Sequence, residues 1–161
     1  MTEPFDPPGE PWVRVSPRLI TLRRLLLVVI GAPVAVIAAV LFGLITLWLG
    51  IVVAVAGLLG VAWGWFVVGR AVRSWGYAER VDDLLVTRGI LNRALVVVPY
   101  GRMQYVDVTA GPLDRRFGLS TVQLHTAAAA TDARIPGLVP AEAARLRDRL
   151  AARGEASSAG L

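Results

Sequence analysis

A membrane α-helical hairpin, followed by a small β-rich barrel or sheet that a C-terminal amphipathic helix closes, is the fold class this sequence predicts. Three observations predict it. From Leu25 to Gly69 there is no Asp, Glu, Lys, Arg or His. From Met103 onward apolar and polar residues alternate in short runs broken by Gly and Pro, the period of two of half-buried strands. Between Pro140 and Arg153 the period lengthens, and Ala143, Leu146 and Leu150 fall on one helix face.

The composition agrees. The chain has 161 residues, 55% of them hydrophobic, and a mean hydropathy of +0.59, more apolar than an ordinary soluble domain. All 17 basic residues are Arg, an imbalance that reflects a GC-rich genome rather than chemistry. There is no Cys, hence neither a disulfide framework nor a thiolate metal site, which fits a reducing cytoplasmic compartment.

Residues 1–16 are expected as a disordered tail, because Pro4, Pro7, Pro8 and Pro11 are mixed with Glu3, Asp6 and Glu10 and little apolar surface is left. Ser16-Pro17 reads as a helix N-cap with Pro in the first turn. Residues 17–75 are then a transmembrane hairpin. The uncharged run is too long for a signal-peptide core, and as one helix it would measure about 68 Å at 1.5 Å per residue, against a hydrocarbon core of about 30 Å. Two spans, about 25–46 and 49–69, turning near Leu47 to Gly50, fit it. Trp48, Trp63 and Trp65 lie where aromatic anchors belong. Arg14, Arg18, Arg23 and Arg24 precede the run and Arg70, Arg73 and Arg80 follow it, while the turn has no arginine. Both termini are therefore expected in the cytoplasm of a multi-pass plasma-membrane protein.

Gly31, Ala35, Ala39 and Gly43 recur every four residues, as do Ala56, Gly60 and Gly64. Such stripes let helices approach closely, and packing of the two spans on each other is the expectation, with a homo-oligomer the alternative use. Pro33 marks a kink. Transport is disfavoured because no ionisable residue lies in the membrane run.

The β-rich domain is expected over residues 76–153, with a flexible tail over 154–161. Leu84 to Thr87 and Ala94 to Val98 read as strands, with Arg88-Gly89 and Asn92-Arg93 competing as the turn. Met103 to Thr109 is the next strand, with Gln104, Val106 and Val108 on one face and Met103, Tyr105 and Asp107 on the other. Gly111-Pro112 breaks it. A single helical turn then puts Leu113 and Phe117 on one side, as anchors, and Asp114, Arg115 and Arg116 on the other; Gly118 ends it. Thr121 to Thr126 alternates Val122, Leu124 and Thr126 against Gln123 and His125. Thr131 to Ile135 is the last strand, Pro136-Gly137 a turn, and Gly154 the stop of the final helix.

The stretch Val98 to Ala127, VPYGRMQYVDVTAGPLDRRFGLSTVQLHTA, with Ile135-Pro136-Gly137-Leu138 and an Ala-rich helix after it, resembles the YdbS-like bacterial PH-domain membrane protein family. The residues that carry the likeness include Pro99, Arg102, Gln104, Val106, Val108, Gly111, Pro112, Leu113, Arg115, Gly118, Leu119, Thr121 and Thr126; Phe117 shares their turn. Val98 and Met103 stand where the family tends to have Ile. The resemblance implies a pleckstrin-homology-like fold on a membrane hairpin. It also implies a partner, a related membrane protein with several copies of the domain.

Function classes separate as follows. His125 is the single histidine, the serines have no local base, and no nucleophile elbow or phosphate-binding glycine loop occurs. Asp82 and Asp83, as neighbours, point to opposite faces and do not form a dyad. No catalytic residue, metal, cofactor or small-molecule substrate is expected. The pI of 10.9 follows from the arginines that flank the hairpin, and the strands lack an aromatic platform for bases, so nucleic acid is not a partner. Phosphoinositide recognition by the fold's eukaryotic relatives uses basic residues between the first two strands; the stretch Glu79-Arg80-Val81-Asp82-Asp83 is acidic, so that function does not carry over. The reading is a non-catalytic interaction or scaffold module at the bilayer, with a sensor of anionic lipid as the alternative. Arg115 and Arg116 are the candidate binding residues, with Tyr105 and Asp107 next.

Overall fold

The computed structural model describes residues 11–127 and 132–159; most of the expected N-terminal tail, the alanine run from residue 128, and Thr131 lie outside it. Ile20–Arg70 form one compact unit and the chain on either side of them another.

The first unit is the hairpin. Helices α1 (Arg18–Gly43) and α2 (Leu47–Arg73) are both long and apolar enough to cross a membrane, with mean hydropathies of 3.0 and 2.4. The helix α1 continues through Pro33. The turn falls at residues 44–46, ahead of the expected Leu47 to Gly50, because the Thr46 carbonyl already accepts the Gly50 N–H at 3.2 Å and starts the new helix. A Cβ at Gly50 would stand 2.6 Å from the Gly43 Cα, one at Gly57 2.6 Å from the Ala35 Cβ, and one at Gly64 3.1 Å from Leu27. The stripe expected on α1 thus meets α2. On α2, however, the close approaches recur every seven residues, at Gly50, Gly57 and Gly64, and Gly60 has nothing within 4 Å. A two-turn repeat is what left-handed pairing of helices selects; the four-residue stripe Ala56-Gly60-Gly64 drifts off the contact line. At the other end of the hairpin the Arg24 guanidinium lies 4.4 Å over the Trp65 ring and donates to the Trp65 carbonyl at 3.3 Å.

The second unit holds two antiparallel sheets. Strands β1 (Val13–Arg14), β2 (Gly76–Glu79), β3 (Asp83–Arg88) and β4 (Ala94–Pro99) form one in sequence order. A 3-10 turn (Tyr100–Arg102) leads to β5 (Met103–Thr109), then helix α3 (Pro112–Arg116), β6 (Ser120–Thr126) and β7 (Ala133–Leu138), where β5-β6-β7 form the other sheet. Helix α4 (Pro140–Ala159) packs on β5, β6 and the 3-10 turn.

Strand β1 corrects the expectation of a tail to residue 16. Val13 pairs with Tyr77 and Arg14 with Gly76, Val15 is buried, and the Ser16 N–H donates to the Gly137 carbonyl at 2.9 Å. The hairpin is consequently an insertion between two hydrogen-bonded strands, and the chain leaves and rejoins this unit at one place.

Strand β2 was not foreseen as a strand, because Gly76, Tyr77 and Ala78 are all buried. Leu84 through Thr87 of β3 are likewise buried in succession; both faces are covered and alternation disappears. Alternation survives in β6, where Val122, Leu124 and Thr126 are buried and Val106 and Val108 pair with Leu124 and Val122. Gln104 does not share that inner face. Met103 pairs with Thr126 and Tyr105 with His125, so Gln104 is the extra residue of a bulge and is exposed.

Pro136-Gly137 does not end β7. Pro136 is tolerated because β7 is an edge strand, and Gly137 takes φ +75 within a bulge, where a Cβ would stand 2.9 Å from that of Leu19. Helix α4 buries Ala143, Leu146 and Leu150 as its spacing predicts. Gly154 does not stop it. A Cβ there would lie 3.6 Å from the Met103 Cε and 3.8 Å from the Tyr100 carbonyl, which is ordinary contact, and the helix runs on through this glycine.

Candidate functional site

The predicted motif centres on α3, which is closed by hydrogen bonds at both ends. The Gly111 N–H donates to Asp114 Oδ2 at 3.2 Å, and Pro112 occupies the first helical position. At the other end Gly118 takes φ +63. Its N–H donates to the Arg115 carbonyl at 3.1 Å, and that of Leu119 to the Asp114 carbonyl at 2.8 Å. This is a Schellman ending, which needs a residue tolerant of the left-handed region. Leu119, buried, is the anchor. That corrects the assignment to Leu113 and Phe117: Phe117 is half-buried and Leu113 is 45% exposed. A five-residue helix is too short for both to reach the core.

Arg115 and Arg116 are exposed on this fixed turn. Asp114 and Asp107, the acids near them in sequence, have other contacts. Asp114 is turned onto Gly111, and Asp107 Oδ2 lies 3.9 Å from His125 Nε2. Arg18 adds a third cation, since a Cβ at Gly118 would stand 3.2 Å from its guanidinium.

Tyr105 and Asp107 lie on the outer face of β5. The Tyr105 ring stacks on His125, centroids 4.4 Å apart, and His125 Nδ1 is 3.3 Å from Asp132 Oδ2. Asp132 Oδ1 also accepts from the Thr126 N–H at 2.8 Å, which ties the ends of β6 and β7 together. The other motif residues lie around the 3-10 turn and β5. Pro99 precedes the 3-10 turn in extended backbone, Gln104 forms the bulge, and the Arg102 carbonyl accepts from the Ala127 N–H at 3.3 Å. Among the described residues no group of three or more His, Asp or Glu stands together.

Sequence reasoning missed a polar network beneath α4. The Tyr77 hydroxyl donates to Glu142 Oε1 at 2.7 Å, and Arg145 donates to the same oxygen at 2.7 Å. These bonds hold the Glu142 carboxyl below the usual carboxylate range, while burial, reinforced by Glu142, pushes the Tyr77 hydroxyl well up. Arg153 donates to the Tyr100 hydroxyl at 2.8 Å and to the Arg80 carbonyl, with its guanidinium 5.1 Å from the Tyr100 ring centre. Burial raises the Tyr100 hydroxyl too. A cleft of about 510 Å³ beside these groups is lined by Glu79, Arg80, Val81, Asp82, Asp83 and Arg153; Glu79 Oε2 and Asp83 Oδ1 are buried there without a hydrogen bond. Glu79 is nonetheless ion-paired, its Oε1 3.8 Å from Arg145 and its Oε2 3.6 Å from Arg149. The signal available beforehand was the run of arginines on α4 facing an acidic strand end, but its partners are distant in sequence.

Among known proteins, the chain is 34% identical over 106 residues to the transmembrane protein YdbS of Bacillus subtilis (strain 168), an alignment covering 60% of this chain and 64% of that protein. The chain therefore aligns with slightly less than two thirds of the relative's length. No solved structure matches. The sequence profile of the family described as "Bacterial PH domain" matches residues 19–154. That region takes in both apolar helices, both sheets from β2 onward and most of α4. It is a membrane protein with a PH-like domain, and the chain belongs to the bacterial PH domain family.

Proposed function

We propose that this protein is a non-catalytic interaction module, held on the cytoplasmic face of the plasma membrane by two tethers. The observation that carries this is the pairing of Arg14 with Gly76. Residues on either side of the apolar hairpin are neighbours in one sheet, so both flanks lie on the same side of the bilayer, and the arginines of those flanks select the cytoplasmic side. A domain tethered at two points keeps a fixed face toward partners, which lowers the ordering cost of binding. The partner favoured by the family resemblance is a related membrane protein with several PH-like domains; a second copy of the chain and the anionic leaflet itself are the alternatives.

The surface proposed for contact is α3, where Arg115 and Arg116 stand on a turn locked at both ends, with Tyr105 and Asp107 as the second surface. The test uses a soluble version in which a short Gly-Ser linker replaces residues 20–70, because a version starting at Gly76 would lack β1. With both arginines changed to Glu, binding to the partner or to phosphatidylglycerol vesicles falls at least tenfold, about 1.4 kcal/mol, with an unchanged melting temperature. Binding that vanishes near 0.5 M salt identifies the leaflet, and binding that partly survives identifies a packed protein contact. Unchanged binding by the folded double variant removes α3 from the proposal.

A further inference from the structure

We infer that the β3–β4 tip, residues 89–93, is a third membrane attachment, inserting Leu91 into the interfacial zone of the leaflet from which the two spans emerge. Leu91 is 97% exposed, the highest value for a large apolar side chain among the described residues. The tip that carries it has a defined shape. Gly89 takes φ +99, and a Cβ there would collide with the Asn92 carbonyl oxygen. Its N–H donates to Ser74 Oγ at 3.1 Å, and Ser74 in turn donates to the Ala71 carbonyl at 2.8 Å. The tip is therefore fastened to the segment Ala71 to Trp75, through which the chain passes out of its second apolar helix. The sheet register gives the same placement: Gly76, the first residue of β2, pairs with Thr87, and Arg88 pairs with Ala94.

The chemistry around Leu91 suits a bilayer surface. Arg88 and Arg93 are exposed on either side of it, and the Arg88 guanidinium lies 6.0 Å from the Trp75 ring centre. Arg70 and Arg73 precede Trp75. Cations match anionic headgroups, an indole suits the headgroup level, and a single leucine beyond them reaches the acyl boundary. A protein partner fits less well. Ile90 beside Leu91 is half-buried, so the tip offers one free apolar side chain, whereas a specific protein interface buries roughly 1,000 Å² or more. A lone exposed apolar residue is ordinary in itself. Val81 is one, 84% exposed, but it stands in the β2–β3 turn, at the end of β2 away from Gly76. The inference rests on the tethered-domain reading above, and Val81 and the spans supply its controls.

The absence of cysteine permits a clean test. Single variants Leu91→Cys, Val81→Cys and Leu58→Cys of the full chain, the last on an exposed face of α2, are spin-labelled and reconstituted into bilayers of phosphatidylethanolamine and phosphatidylglycerol. Relaxation by oxygen and by a water-soluble nickel chelate is then compared. Position 91 is expected to resemble position 58, with oxygen access high and chelate access several-fold below that at position 81. High chelate access at 91 with lipid-like values at 58 would overturn the inference alone. Low access to both reagents at 91 would mean burial against protein, which also overturns it. Water-like values at 58 would overturn the tethered-domain reading together with it.

Discussion

Leu124→Asp unfolds the β-sheet unit, whereas Gln123→Asp on the same strand leaves it folded. Leu124 is 1% exposed and pairs with Val106 on one side and Ala133 on the other. An Asp there loses the leucine's packing and buries a carboxylate without a partner, at least ~4 kcal/mol in all. That is a large share of the roughly 5–15 kcal/mol that holds a domain together. Gln123 is only half-buried, so its change stays within about 0.5 kcal/mol. Val106→Asp falls between the two, because Val106 is half-buried rather than buried. Trypsin reads the outcome on the detergent-solubilised full chain, where Leu124→Asp should be digested through its arginines under conditions that leave the parent and Gln123→Asp intact. Equal resistance of all the chains would contradict the placement of Leu124 in the core, and digestion of Gln123→Asp alone would mean that the inner and outer faces of β6 are exchanged.

The second large effect is in the membrane. Gly50→Leu separates the two helices at the turn, and Gly60→Leu does nothing. At Gly50 a side chain meets the Gly43 Cα and the Ala39 carbonyl, at 2.6 and 3.0 Å, and backbone atoms cannot turn aside as a flexible side chain can. Overpacking of this kind costs about 1–3 kcal/mol even where neighbours adjust. The readout is a disulfide between Gly31→Cys and Val61→Cys, where a Cβ at Gly31 would stand 3.4 Å from the Val61 Cγ2 across the hairpin. It should form readily in the parent and in Gly60→Leu and poorly in Gly50→Leu. Comparable loss from Gly60→Leu would place the four-residue stripe, rather than the seven-residue one, at the contact.

These two cases show where sequence reasoning reaches and where it stops. Charge exclusion over a long run is a property of composition, so the hairpin was legible whatever its neighbours did. The alternation in β6 was legible because one face meets the core and the other meets water. Strands β1 and β2 were not: β1 is two residues long beside a Pro-rich stretch, and β2 is covered on both faces. Gln104 fell on the wrong face because a bulge resets the phase without any residue type announcing it. Gly154 and Gly137 were read as stops, since local propensity says so, but α4 runs on through Gly154 and the bulged edge strand needs Gly137 for its positive φ. For the candidate site, the turn at Gly111 to Gly118 followed from its own caps. The depth of Leu113 did not, because it depends on whether a short helix can tilt into the core.

The central proposal is that the hairpin, inserted between two paired strands, has both of its flanks on the cytoplasmic face of the bilayer. Labelling single cysteines in intact cells with a membrane-impermeant maleimide tests this most directly, using Pro11→Cys before the hairpin, Ile45→Cys in its turn and Val81→Cys in the domain. Only position 45 should react from outside, and positions 11 and 81 should react together after lysis. Reaction of position 81 in intact cells, or of 11 and 81 from opposite sides, would contradict the account.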